Sequence, residues 1–245
     1  MKLADLHWPE VTRLEKESIV AVVPVGSMEQ HGPHLPFQVD VFISSRLAED
    51  VEKRIPEILL LPPIWTGVSA HHMDFPGTIT IRARVFMDLL HDICASLHHH
   101  GIRRIVLLNG HGGNRASLEV LGQEIFVEFG LTIYTLAYWD LVPDLVKSLK
   151  TTESSGMGHS GELETSLMLY LAPDLVMQKD IPQAVLGIAP PGPKDRMKHY
   201  VNMKEHSQEG VIGSPSAATS EIGEKLYKGV LTALEQAIRA LHSRS

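Results

Sequence analysis

Short apolar blocks rich in β-branched residues alternate along this chain with longer stretches in which apolar positions recur every third or fourth residue. Residues 18–25 (SIVAVVPV) run apolar without interruption up to Gly26, the pattern of a strand covered on both faces. Residues 41–54 (VFISSRLAEDVEKR) have helical spacing and stop before Pro56. Residues 58–61 form a second short apolar strand, and residues 78–81 (TITI) alternate like a third. Residues 85–100 are helical in pattern up to Gly101, residues 103–108 a strand, residues 115–129 a helix closed by Gly130, and residues 131–137 a strand again.

Strands separated by helices of a dozen residues predict an α/β fold: a sandwich with a mostly parallel sheet and helices on both faces. Beyond a helix ending at Leu171 the pattern weakens. Residues 187–193 (GIAPPGP) read as loop and residues 194–213 as polar and irregular. A last helix over 220–242, with Ser220 as N-cap, places Ile222, Leu226, Val230, Leu234, Ile238 and Leu241 along one side. No repeat, low-complexity tract or linker interrupts the chain, so residues 1–245 read as a single domain. In such sheets ligands sit beyond the carboxyl ends of the strands, which directs attention to the loops after Val25 and Leu108.

Composition narrows the function. The chain of 245 residues is 44% hydrophobic and 21% charged, enough for a sizeable core. Its 22 Lys and Arg against 29 Asp and Glu argue against nucleic acid or an anionic membrane as partner. The charged N-terminus lacks the apolar core of a signal peptide and no segment approaches the length of a membrane span, so a cytoplasmic location is expected. The one cysteine, Cys94, falls in a helical apolar pattern, excludes an intrachain disulfide and reads as core. The outlying number is 14 histidines.

Three polar clusters carry chemistry. In residues 27–36 (SMEQHGPHLP), Glu29 and His31 are two apart, so in an extended segment they share a face and can converge on one ion. Asp40, at the start of the next helix, either reaches back to them or caps that helix. Residues 109–114 (NGHGGN) could cradle an anion at a helix start, but they lack the Gly-Lys-Ser/Thr of a P-loop, and His111 reads better as a metal ligand. Residues 158–166 (GHSGELETS) open a helix in which Glu162 and Glu164 face different directions. One of them could be a ligand, while a carboxylate there also suits the helix dipole. His98, His99 and His100 read as a helix end. His71 and His72 could enter the site as substrate contacts, with His34 a further pocket candidate. Trp139 either stacks on a flat ring or packs at a strand end. Lys194, Arg196 and Lys198, if they reach the site, would favour an anionic substrate.

Taken in order, these clusters with Asp40 resemble the signatures of the creatininase (creatinine amidohydrolase) family. Residues 75–80 (FPGTIT), 210–215 (GVIGSP) and 218–223 (ATSEIG) are similar to its weaker blocks. The resemblance implies a three-layer α/β/α sandwich holding two divalent metal ions, zinc foremost with manganese or iron as alternatives. Position by position, Glu29, His31, Asp40 and His111 match metal ligands with Asp40 bridging, Glu164 matches the last carboxylate ligand, and His159 matches a proton-shuttling histidine. It also implies a homohexamer and a small-molecule substrate. The chain departs from the name-giving enzyme where that protein has His-Tyr-Glu and this one has His111-Gly-Gly113, which argues against creatinine itself. Members with the Gly-rich form include formamidopyrimidine deformylases, enzymes of peptide-derived cofactor maturation and a keto-inositol hydrolase. The expected activity is metal-dependent hydrolysis of a non-peptide C–N bond in a cyclic amide or formamide, with a water or hydroxide held between the metals as nucleophile. The alternatives are hydrolysis of a ring C–C bond next to a ketone, or non-catalytic binding of a metal or small molecule.

Overall fold

The computed structural model describes residues 1–150, 157–183 and 202–242. Its sheet has four parallel strands, β1 (Val20–Val25), β2 (Ile58–Leu60), β3 (Arg104–Asn109) and β4 (Ile133–Ala137), in the order β2-β1-β3-β4. Val25 pairs with Asn109, and Asn109 with Ala137. Three strands therefore end on one line, and the loops that follow them leave from a single edge.

The helices are α1 (Trp8–Thr12), α2 (Val39–Glu52), α3 (Ala83–His99), α4 (Arg115–Phe129), α5 (Pro143–Leu149), α6 (Glu162–Leu171), α7 (Met203–His206) and α8 (Ser220–His242). Alternate strand residues sort them into two layers. Val20, Val22, Val106 and Leu108 pack with α2, α5, α6 and α8. Ala21, Val23, Ile105 and Leu107 pack with α3 and α4. Every residue of β1 is buried, as a strand covered on both faces must be, so the fold is the expected α/β/α sandwich.

The boundaries differ from the sequence reading at informative places. Residues 78–81 add no strand to the sheet: Ile79 makes a single bridge to Met28 and Thr80 one to Gly67, so the alternating Thr and Ile pin two loops together instead. α2 begins at Val39, which puts Asp40 inside its first turn, where its side chain does not cap it. The cap of α8 falls on Thr219, whose hydroxyl accepts the Ile222 N–H at 3.2 Å, rather than on Ser220. α5 starts at Pro143 in the first-turn position that tolerates proline, and α7 interrupts the stretch read as irregular. The loop read over 187–193 and the basic residues Lys194, Arg196 and Lys198 lie outside the described residues.

α6 and α8 touch most closely at Gly223, where a Cβ would overlap the Ser166 carbonyl oxygen. A glycine inside a helix ordinarily costs about 0.5–1 kcal/mol relative to alanine, so close approach is what this position requires. Gly223→Ala is expected to destabilise the protein by about 1–3 kcal/mol in urea unfolding, the reverse of the usual gain, because the extra methyl forces apart two packed helices.

Candidate metal centre

The loop after β1 turns back on itself at once. Glu29 N–H donates to the Phe37 carbonyl at 3.2 Å, and His31 bridges Leu35. This brings Glu29 and His31, both fully buried, over the first turn of α2, where Asp40 is 3% exposed. His31 Nδ1 donates to the Glu29 carbonyl at 3.1 Å, leaving Nε2 3.2 Å from Asp40 Oδ1. The loop after β3 is held by two asparagines. Asn109 bonds both the N–H and the carbonyl of His111. Asn114 accepts from Val68 N–H at 2.9 Å and donates to the Gly26 carbonyl at 3.1 Å, tying three edge loops together.

His111 sits between two carboxylates, with Nε2 3.2 Å from Glu29 Oε2 and Nδ1 3.1 Å from Asp40 Oδ2. From the opposite side α6 presents Glu164, whose Oε2 accepts the Ser160 N–H at 2.6 Å. Glu162 is turned away, its Oε2 accepting the Ser214 N–H at 2.8 Å. The two glutamates thus part company as their spacing suggested. At Gly113 a Cβ would overlap His111 Nε2 and the Val68 carbonyl, so position 113 has no room for a side chain.

Donor atoms within 4.8 Å of one another form three groups: Glu29, Asp40 and His111; His31, Asp40 and Glu164; Glu29, His31 and His159. All six residues singled out by the resemblance are therefore brought together and buried. His159 Nε2 lies 2.8 Å from the Gln30 carbonyl and Nδ1 3.7 Å from Glu29 Oε1. His72 also belongs here, with Nε2 3.3 Å from Glu29 Oε1, while the half-buried His71 stacks on His111. His34 bonds Thr165 Oγ1 at 2.8 Å. Trp139 lies under the Arg115 guanidinium and edge-on to Tyr138, the strand-end alternative. Arg103 bonds His98 at the end of α3. Cys94 is buried in the core, which pushes its thiol up to about 12. Sequence reasoning missed Gln30, Ser27 and Ser69. Ser27 donates to Glu29 Oε2 at 3.0 Å, and Ser69 contacts both Ser27 and His111. Only their closeness to the motifs could have drawn notice.

The electrostatics are those of crowded carboxylates. Burial opposes the charge on Glu29, but the imidazoles around it, His111 foremost, outweigh burial and hold the carboxyl well below its usual range. Burial likewise opposes the charge on His31 and His111, yet the surrounding carboxylates raise the first to about 9 and the second well above its ordinary value. Glu164, chiefly through burial, is pushed up to about 7. Burial takes His72 down to about 3 and His159 well below its usual value.

Among the described residues, the ion pairs of Glu29 and Asp40 are all with imidazoles. Glu29 Oε1 and Asp40 Oδ2 are buried without a hydrogen bond. Mixed carboxylate and imidazole donors with unsatisfied oxygens suit borderline divalent cations, so the residues fit a metal pair.

A buried acidic and imidazole cluster at the carboxyl edge of a parallel sheet defines a candidate metal-dependent enzyme, and comparison with known proteins makes the class specific. The profile of the creatininase family, described as creatinine amidohydrolase, matches residues 4–238. The creatinine amidohydrolase of Pseudomonas putida is 30% identical over 97% of this chain and 95% of its own. A 3-dehydro-scyllo-inosose hydrolase of Thermotoga maritima is 28% identical over 94% and 79%. A mycofactocin precursor peptide peptidase of Mycolicibacterium smegmatis is 32% identical over 85% and 79%. A mutant creatininase of Zn-Zn type superposes with a TM-score of 0.83 at 29% identity, over 98% of this chain and 97% of that one. A manganese creatininase gives 0.82 at 28% identity, with the same coverage. The chain belongs to the creatininase family of hydrolases. No described helix is long and apolar enough to cross a membrane.

Glu164 offers a test with opposite signs in two states. Its folded-state pKa lies above the ordinary carboxylate value, so in chelator-treated protein its ionisation removes stability as pH rises from about 4 toward 7 and beyond. Glu164→Gln should therefore raise the melting temperature of chelated protein, increasingly so toward pH 8, and reduce the stabilisation gained on adding zinc.

Proposed function

We propose that this chain is a metal-dependent amidohydrolase opening a non-peptide C–N bond, that of a cyclic amide or a formamide, in a small molecule. The observation that carries the reading is the position of Asp40, whose one carboxylate belongs both to the group with Glu29 and His111 and to the group with His31 and Glu164. In this reading Glu29, His31, Asp40, His111 and Glu164 hold two divalent cations with Asp40 shared, zinc first and manganese or iron as substitutes. Bound there, such ions supply activation of a water and Lewis-acid polarisation of a carbonyl oxygen.

The chain's own residues do the rest. The Glu29 carbonyl anchors His31 Nδ1, so the ring presents Nε2 toward Asp40. Asn109 fixes the backbone of His111, and Ser27 holds Glu29 Oε2. Burial keeps bulk water from the carboxylates and strengthens each charge interaction. His159 engages the Gln30 carbonyl with Nε2 and turns Nδ1 toward the cluster. Nδ1 is thus the atom that takes up a proton from the attacking water and returns it to the departing nitrogen; burial keeps the ring neutral beforehand, with Nδ1 unprotonated.

The nearly complete mutual coverage with a creatinine amidohydrolase supports C–N hydrolysis. A relative acting on a keto-inositol at 28% identity favours a second reading, cleavage of a ring C–C bond next to a ketone on the same residues. Presence of His159 beside a full donor set argues against a binding protein without turnover. The reading extends to a cytoplasmic homohexamer whose subunit is a single domain over residues 1–245.

Purified protein should carry about two divalent ions per chain, and Asp40→Asn should lose both along with activity. His159→Ala should keep the metal and slow turnover by about 10²- to 10⁴-fold. Elemental analysis together with a substrate panel of lactams, formamides, keto-inositols and short peptides checks this. Undiminished turnover by metal-free protein would sink the proposal, and activity confined to keto-inositols would select the second reading.

A further inference from the structure

Gln30 is 5% exposed and lies between two residues of the cluster, and its side chain is absorbed by no step above. Its amide orientation follows from two backbone partners whose roles cannot change. Oε1 accepts the Gly32 N–H at 2.8 Å, and Nε2 donates to the Gly210 carbonyl at 3.0 Å. The second Nε2 hydrogen then meets His72 Nδ1 at 2.8 Å. A nitrogen receiving a hydrogen bond carries no proton, so the proton of neutral His72 sits on Nε2, which faces Glu29 Oε1 at 3.3 Å.

The backbone of the same residue acts on His159. A carbonyl only accepts, so His159 must donate Nε2–H to the Gln30 oxygen at 2.8 Å, and the nearby Gln30 Nε2 is a donor that makes no bond to that ring nitrogen. His159 Nδ1 is left as a lone pair facing Glu29 Oε1 at 3.7 Å. Two acceptors turned toward one another repel unless a proton or cation lies between them.

We infer that Gln30 is a positioning residue that sets the tautomers of both buried histidines, its side chain keeping the His72 proton on Nε2, the nitrogen that faces Glu29, and its carbonyl leaving His159 Nδ1 as the working nitrogen. Its link to chemistry rests on the metal-dependent reading above. Gly210, where a Cβ would overlap the Gln30 side chain, brings the 202–213 segment onto the same amide. Gln30 thereby joins the loop after β1 to a segment about 180 residues further along, a separation in keeping with the Gln30 to Gly210 bond.

Long-range ¹H–¹⁵N spectra of ¹⁵N-histidine protein, zinc-loaded and chelator-treated, read the tautomers directly, with His72→Asn and His159→Asn assigning the signals. Wild-type protein should show both residues protonated on Nε2 in the chelated state and His72 protonated on Nε2 in both states. Gln30→Glu, an acceptor in place of a donor, should move a proton onto His72 Nδ1 while His159 keeps its tautomer. Gln30→Met should weaken zinc binding about tenfold or more in chelator competition, the loss typical when a ligand's supporting hydrogen bond is removed, whereas the exposed Gln123→Met should not. His72 protonated on Nδ1 in wild type overturns the inference even if neither Gln30 variant folds. Normal zinc binding with that wrong tautomer leaves the metal reading intact. Failure to bind zinc defeats the metal reading while the chelated-state tautomers still decide the role of Gln30.

Discussion

Three carboxylates, those of Glu29, Asp40 and Glu164, are held together inside this protein with no more than 4% exposure. Removing even one such charge from water costs several kcal/mol unless an opposite charge meets it, and among the described residues the ion-pair partners of Glu29 and Asp40 are imidazoles. Most of what surrounds the cluster can be understood as keeping these groups close despite their repulsion. The register of β1, β3 and β4 delivers the edge loops to one line, and Asn109 and Asn114 lock them there. On the far side, α8 packs closely at Gly223 against α6, the helix that carries Glu164.

That constraint also accounts for the division of labour among the histidines. Those that touch carboxylates most directly, His31 and His111, are drawn toward the charged form when protons are the only counter-ions, while His72 and His159, more strongly governed by burial, stay neutral. A cation taking the place of the protons would meet donors already oriented by backbone carbonyls and amides. The neutral pair would be free to serve as hydrogen-bond donor and proton carrier.

Within the creatininase family, relatives of nearly equal identity are named for creatinine, a keto-inositol and a precursor peptide. In the reading proposed above, the common part of such a site would be carbonyl chemistry at a metal pair and the variable part the loops around it. At Gly113 the second loop has no space for a side chain, and the third carboxylate of the cluster, that of Glu164, comes from α6.

Much of this was legible along the chain. Uninterrupted β-branched blocks and helical spacing marked the strands and the long helices because burial on two faces or one leaves a local signature, and the ordered motifs named Glu29, His31, Asp40, His111, His159 and Glu164. What lacked a local signature needed the tertiary structure. Residues 78–81 alternate like a strand yet pin loops, because pairing depends on what lies alongside. By spacing alone Glu162 and Glu164 stand equal, and it is the direction of α6 that sends one to Ser214 and the other to the cluster. Gln30 is an ordinary loop residue until a segment far along the chain closes over it, since hydrogen-bond roles are settled by partners in space and not by neighbours in sequence.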